Sequence, residues 1–256
     1  MMRLLPWVFL CAMAVFIYLP VGALVLFSFQ GGALPVPPFN GPSLQWYAEI
    51  LGDGDLMQSL LNSLMVGAVS SALAVCLGFT AAYGLARHAL PGTTLMRGLL
   101  IAPLCVSYLI IGLGLLIVVQ RLGLGLSLAT AGIGHVVINL PICFSIIYAS
   151  MGAQQQSAER AARDLGANEA QVVLLITVPM LLPAIAAAFF LSFTLSWDEF
   201  IISFLLTRFD VTLPVEIWSM LRSGLSPELN AIGSLVFLVS VTLVLALELL
   251  LFRRRA

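Results

Sequence analysis

The sequence predicts an all-α polytopic membrane protein with six transmembrane helices. Three observations carry that fold class. The 256 residues are 61% hydrophobic and 9% charged, with a mean hydropathy of +1.09, a composition foreign to soluble globular domains. The apolar residues form long runs that match the ~20 residues a helix needs to cross a bilayer, not alternating strands of ~10 residues. Short polar stretches rich in Arg, Gly and Pro punctuate the runs. A bilayer gives the backbone no partners, so such runs must satisfy their own hydrogen bonds as helices.

The first predicted span covers residues 7–29, preceded by Arg3. A cleaved signal peptide shares that pattern, but the run exceeds the ~7–15 apolar residues of a signal, which favours a retained helix. Residues 30–58 form a Gly- and Pro-rich connection containing Trp46, Tyr47, Glu49, Asp53 and Asp55. The second span, 60–86, ends at Arg87 and His88; a short loop with Pro91, Gly92 and Arg97 leads to the third, 98–119. The fourth runs over 129–149 and the fifth over 172–196, where Pro179 and Pro183 remove backbone donors and are expected to kink the helix. Residues 197–230 are a long exposed stretch, and 231–252 is the last span. One transmembrane domain, residues 1–256, is expected, without internal repeats.

Charge orients these spans. With both termini in the cytoplasm, Arg3, Arg87, Arg97, Arg160, Arg163, Arg253, Arg254 and Arg255 lie inside, and only Arg121, Arg208 and Arg222 outside. That is the sorting expected of a cytoplasmic-membrane protein. All eleven basic residues are Arg. The absence of Lys excludes a Walker A or Schiff-base lysine, so any ATP hydrolysis must belong to another chain. Cys11, Cys76, Cys105 and Cys143 sit within apolar runs without metal-ligand spacing and read as packing residues. No cofactor, metal or nucleic-acid partner is expected.

Between the fourth and fifth spans lies a charged island within the loop 151–171: Glu159, Arg160, Ala161, Ala162, Arg163, Asp164, Leu165, Gly166. Ala158, Ala161, Ala162 and Leu165 recur at helical spacing, predicting a short helix with a face of small residues. Gly166 is placed to end that helix in the left-handed conformation. Asn168, with Gln171 three residues on, is placed to cap the next one.

Ala161, Ala162, Gly166, Ile176 and Pro179 resemble the EAA loop of the membrane subunits of bacterial ABC importers. That pattern reads Glu-Ala-Ala, three residues, Gly, nine residues, Ile-x-Leu-Pro. Arg160 stands where the family has Glu, with Glu159 one place earlier, and Val178 stands where it has Leu. The resemblance implies the type I importer permease fold and makes 158–166 a coupling helix seated in a groove of a cytoplasmic ATPase. Further matches at Trp46-Tyr47, at Asn62-Ser63-Leu64 and over 196–231 are similar to the second permease of spermidine/putrescine importers. Permeases for opines, phosphonates and ferric iron share much of this pattern. By resemblance the partners are a homologous permease, two ATP-binding subunits, a periplasmic substrate-binding protein and the lipid of a bacterial inner membrane.

For the solute pathway the sequence offers Asp198 and Glu199, just after the fifth span, with Tyr108 and Trp197 as aromatic neighbours. The carboxylates are candidates to pass a cation or simply to cap a helix end; the rings, to brace a methylene chain or to anchor at the interface. His135 and Asn139 within the fourth span are expected to bond to other helices. A lone secondary transporter would need intramembrane acids, and Glu248 is the one candidate. A membrane enzyme would need a nucleophile and base, and His135 has no Ser, Cys or acid beside it in sequence.

Overall fold

A computed structural model describes residues 4–88, 91–224 and 226–252. Its helices are, in chain order, α1 (Leu4–Ser28), α2 (Gln45–Gly52), α3 (Gly54–Arg87), α4 (Thr93–Ile101), α5 (Tyr108–Arg121), α6 (Leu128–Ser150), α7 (Ala153–Asp164), α8 (Glu169–Val172), α9 (Val178–Trp197), α10 (Ile201–Leu206), α11 (Leu213–Ser223) and α12 (Pro227–Phe252). Among the described residues there is no strand, only an isolated bridge between Gln30 and Pro42. Arg3, Arg253, Arg254 and Arg255, and the side chain of Glu248, lie outside what is described.

Among the described residues, four stretches are long and apolar enough to cross a membrane: Pro6–Ser28, Gly54–Arg87, Leu128–Ser150 and Glu169–Trp197. The third predicted span, in contrast, is broken. α4 passes through a 3-10 turn, Ala102–Cys105, and α5 then departs at 105°. Pro103 gives the turn no N–H, Val106 and Ser107 are extended, and the Ser107 hydroxyl accepts from Ile110 N to start a new helix. Mean hydropathy is blind to all three features. At the last span, the apolar described part of α12 is the shorter Pro227–Thr242. In the fifth, the irregularity is a π turn, Val173–Thr177, separated from Pro179 by Val178 alone. There Val178 N–H reaches Val173 O, so the helix widens where a proline is about to remove a donor.

The chain divides into two compact units. One joins the residues up to Gln58 with Glu216–Thr242. Its centre is Gln30, whose side-chain amide donates to Val36 O and Pro38 O and accepts from Asn40 N, tying down the loop before α2. Trp46 Nε1 donates to Gln30 O at 2.7 Å, and Ser28 and Tyr47 share a 2.8 Å bond.

The other unit is built on Ser59–Val215. Ala74, Val75 and Ala82 of α3 pack with Cys143, Phe144 and Ile147 of α6 and with Leu181 and Ala188 of α9. Gly78 permits this: a Cβ there would lie 2.8 Å from Phe144 N, so α3 and α6 meet backbone to backbone. A second cluster joins Val119, Ala131, Ile138, Ile202 and Leu206. At one end of this unit sit Arg87, α7 and Arg97, whose guanidinium lies 5.1 Å from the Tyr148 ring. At the other, Ser127 N and the Thr130 hydroxyl donate to Leu206 O.

Candidate functional sites

The charged island folds as α7, three turns long. Gln155 Oε1 accepts Gly152 N at its start. At its end, Gly166 at φ +91° turns the chain. Gly166 N then bonds Arg163 O and Ala167 N bonds Ala162 O, the paired closure of a Schellman stop. Asn168 and Gln171 exchange side-chain-to-backbone bonds of 2.9 Å, capping α8 as the sequence suggests.

The faces of α7 are less simple than the alanine spacing implies. Gln155 and Glu159, four apart, are buried against the rest of the unit. Arg160, Ala161, Asp164 and Gly166 are exposed, and Leu165 is 90% exposed; Ala158, Ala162 and Arg163 are intermediate. Glu159, grouped by sequence with the docking residues, therefore points into its own chain. Its carboxylate accepts from Arg87 Nε at 2.6 Å and Nη2 at 3.2 Å, a two-pronged pair, and from the Thr177 hydroxyl at 2.9 Å. The pair is closed to solvent, with side chains 7% and 0% exposed. Charge-assisted, bidentate bonds of this kind are the strong and orienting ones.

A second, more exposed set lies one turn away. Arg163 Nε and Nη2 donate to Glu169 at 2.7 and 3.0 Å, and Nη2 lies 3.3 Å from Tyr83 Oη. The hydrogen bond to Glu169 holds the Arg163 guanidinium above its ordinary pKa, against a small opposing effect of burial. In the sequence Arg87 marks the end of the second span and helps to orient the chain, and neither Tyr83 nor Thr177 stands out as its partner. The signal for the pairing is the spacing: Tyr83 and Arg87, like Glu159 and Arg163, are four apart and so share a helix face, whereas Thr177 has no such signal.

The proposed pathway residues separate. Asp198 is exposed, but Glu199 is only 5% exposed and caps α10, accepting from Ile202 N at 2.9 and 3.0 Å and from Ser203 N at 3.2 Å. Trp197 is 2% exposed, its indole N–H without a protein partner. Tyr108 packs beside the cluster of Ile202 and Leu206. Of the four, Asp198 is exposed and Tyr108 half-buried, while Trp197 and Glu199 are closed off within this unit.

His135 is held by other helices. Nδ1 lies 2.5 Å from Ser196 Oγ, Nε2 lies 2.9 Å from Ser203 Oγ, and Glu199 Oε2 is 3.5 Å from Nε2. Ser196 also meets Ser70, and Ser192 donates to Ser71. A serine, an imidazole and a carboxylate thus come together although sequence spacing showed none of it. They do not make a nucleophilic centre: all are buried, both ring nitrogens are engaged, and the carboxylate serves backbone N–H groups. Asn139, one turn further along α6, is fully buried with neither amide atom bonded. Beside this seam, α3 and α6 enclose an open groove of about 610 Å³. Met65, Val69, Leu73, Ile133 and other apolar side chains line it, with Ser70 as the polar exception, so it offers no charge to a cation.

Comparison with known proteins supplies the family. Residues 74–256 match the binding-protein-dependent transport system inner membrane component family. The putrescine transport system permease protein PotI of Escherichia coli K12 is 34% identical over 241 residues, covering 90% of this chain and 85% of that one. The spermidine/putrescine transport system permease protein PotC of the same strain is 29% identical over 250 residues, covering 97% and 94%. Among solved structures, a bacterial ABC transporter involved in import of the acidic polysaccharide alginate aligns with a TM-score of 0.68 at 18% identity, over 98% of this chain and 95% of that one. An amino acid ABC transporter aligns at 0.61 and 16% identity, over 81% and 98%. Those two likenesses concern the fold. With residues 74–256, well over half of its length, matching the family, this chain belongs to the binding-protein-dependent transport system inner membrane components and is a permease subunit of an ABC importer, not itself an enzyme.

Proposed function

We propose that this permease forms half of the translocation pathway of a polyamine importer and receives the ATPase on the outer face of α7. Arg160, Ala161, Asp164, Leu165 and Gly166 form that face, while the inward side chains of Gln155 and Glu159 hold the helix in place. The observation that carries the docking reading is an apolar Leu165, 90% exposed, at the tip of a charged helix stopped by a glycine. Leu165 stands out from α7 beside exposed Ala161, on a helix whose opposite face is already fixed by Gln155 and Glu159, so a partner can approach that tip without disturbing the fold.

The remaining components are a homologous permease, two ATP-binding subunits and a periplasmic binding protein, in a bacterial inner membrane with both termini of this chain cytoplasmic. ATP is consumed by the partner subunits; this chain needs no cofactor. ATP closure of the ATPases draws the docking helices together and opens the pathway outward. Hydrolysis then resets it. The polyamine reading is supported by the relatives named for spermidine and putrescine. Asp198 is the pathway carboxylate this reading retains. ATP-dependent uptake of radiolabelled spermidine and putrescine by the reconstituted assembly tests it. Saturable uptake of either supports the reading. ATPase activity stimulated by a binding protein loaded with an opine, phosphonate or ferric iron, without polyamine uptake, replaces the substrate and keeps the importer.

A further inference from the structure

We infer that α3 is a second output of the docking helix, with Tyr83 and Arg87 as positioning residues that make α3 move with α7. The inference rests on the docking reading of α7 but concerns a different face of it.

Two helices are pinned together most firmly when they share two seats one turn apart. α3 supplies Tyr83 and Arg87; α7 supplies Glu159 and Arg163, with the same spacing of four. Arg87 meets Glu159, and Tyr83 meets Arg163. A single contact would let α7 pivot; two in register do not. The inner seat is closed to water and two-pronged, so sliding one helix past the other would strand a carboxylate in an apolar place. The outer seat is completed by Glu169 at the start of α8.

The third member of the inner seat is Thr177. It lies in the π turn at the head of α9 and donates to the same carboxylate as Arg87. One residue of α7 thus grips both helices that lead into the unit's core. α3 and α9 in turn pack with α6 through Ala74, Phe144 and Leu181. A displacement of α7 then reaches α3 directly, without first passing through the length of α9.

The experiment uses the whole assembly. Spin labels are placed at exposed Gln154 of α7 and exposed Thr80 of α3, with the native cysteines replaced, and their separation is measured by pulsed electron resonance in nucleotide-free and ATP-trapped states. The expected result is one distance distribution, with unchanged peak and width in both states. Arg87→Met alone leaves Glu159 unpaired and risks misfolding, so the decisive variant is Arg87→Met with Glu159→Met, which removes both charges together. In that double variant the ATPases are expected to copurify in normal amount, while the distribution broadens or shifts between states and uptake per ATP hydrolysed falls at least tenfold. Arg87→Lys, which keeps one prong, is expected to restore most of the wild-type distribution. A wild-type separation that changes with nucleotide, or a double variant as locked as wild type, overturns the inference. Loss of ATPase from the double variant also overturns it, since the pair would then only shape the docking face. Ala161→Arg tests the underlying reading separately: ATPases that remain bound to it overturn docking on α7 and leave the distance result standing.

Discussion

Replacing Glu199 separates a helix cap from a solute-binding carboxylate. The side chain is buried and takes two backbone N–H groups, from Ile202 and Ser203, at 2.9–3.2 Å. In Glu199→Ala both donors are stranded at about 1–3 kcal/mol each. Partial relaxation of a six-residue helix makes a total near the lower half of that sum, roughly 2–4 kcal/mol, the more reasonable figure. For a domain of this size that corresponds to a Tm lowered by roughly 5–15 °C. Glu199→Gln keeps one carbonyl acceptor and loses only the charge assistance, about 1 kcal/mol and a few degrees. The assay is thermal unfolding of the detergent-purified assembly, paired with spermidine uptake normalised to intact complex. Glu199→Gln is expected to transport within twofold of wild type. A Glu199→Gln assembly with normal Tm but uptake reduced tenfold would refute the cap assignment and return the residue to the pathway.

Three further outcomes follow from the same geometry. Gly78→Leu, which drives a side chain into Phe144 N where even a Cβ would sit at 2.8 Å, is expected to abolish accumulation of folded chain; normal yield on detergent gels would contradict the close approach of α3 and α6. Asn139→Leu removes a buried amide with no partner and is expected to raise the Tm of the detergent-purified assembly or leave it unchanged, with uptake intact; a fall in uptake at normal Tm would give the amide a part in transport. Gly166→Pro cannot adopt φ +91° and lacks the N–H that reaches Arg163 O, so pull-down of the ATPase is expected to fail while the chain still inserts in the membrane.

Much of the helical scaffold is legible because hydropathy and helix stops are local. The end of α7 and the start of α8 follow from Gly166 and Asn168, which act on residues close by in the chain. What local reading misses are events set by neighbours. The break between α4 and α5 needs Pro103 and Ser107 to act together inside an apolar run. The His135 seam needs serines from α3, α9 and α10, residues 61–68 positions away from the imidazole for the latter two. Serines in apolar spans carry little sequence signal, because they are also common where helices pack closely. The two roles open to Glu199, cation passage or helix cap, cannot be told apart in the sequence for a related reason: proximity to a span end fixes a residue's depth but says nothing of which backbone donors surround it.

The island presents two different faces on one short helix. Glu159 and Arg163 form an inward stripe, and Arg160 and Asp164 form an outward one; both have a spacing of four, and they lie one residue out of phase. On an α-helix a shift of one residue rotates a side chain by about 100°. Glu159 therefore cannot stand in for the glutamate that the importer family carries one place later, since its carboxylate is already closed between Arg87 and Thr177. The position that faces outward is Arg160, and it is a cation. On the docking reading proposed above, the departure from the family pattern is a change of charge on the exposed face of α7 rather than a slip of the motif, and a partner seated there would meet a guanidinium.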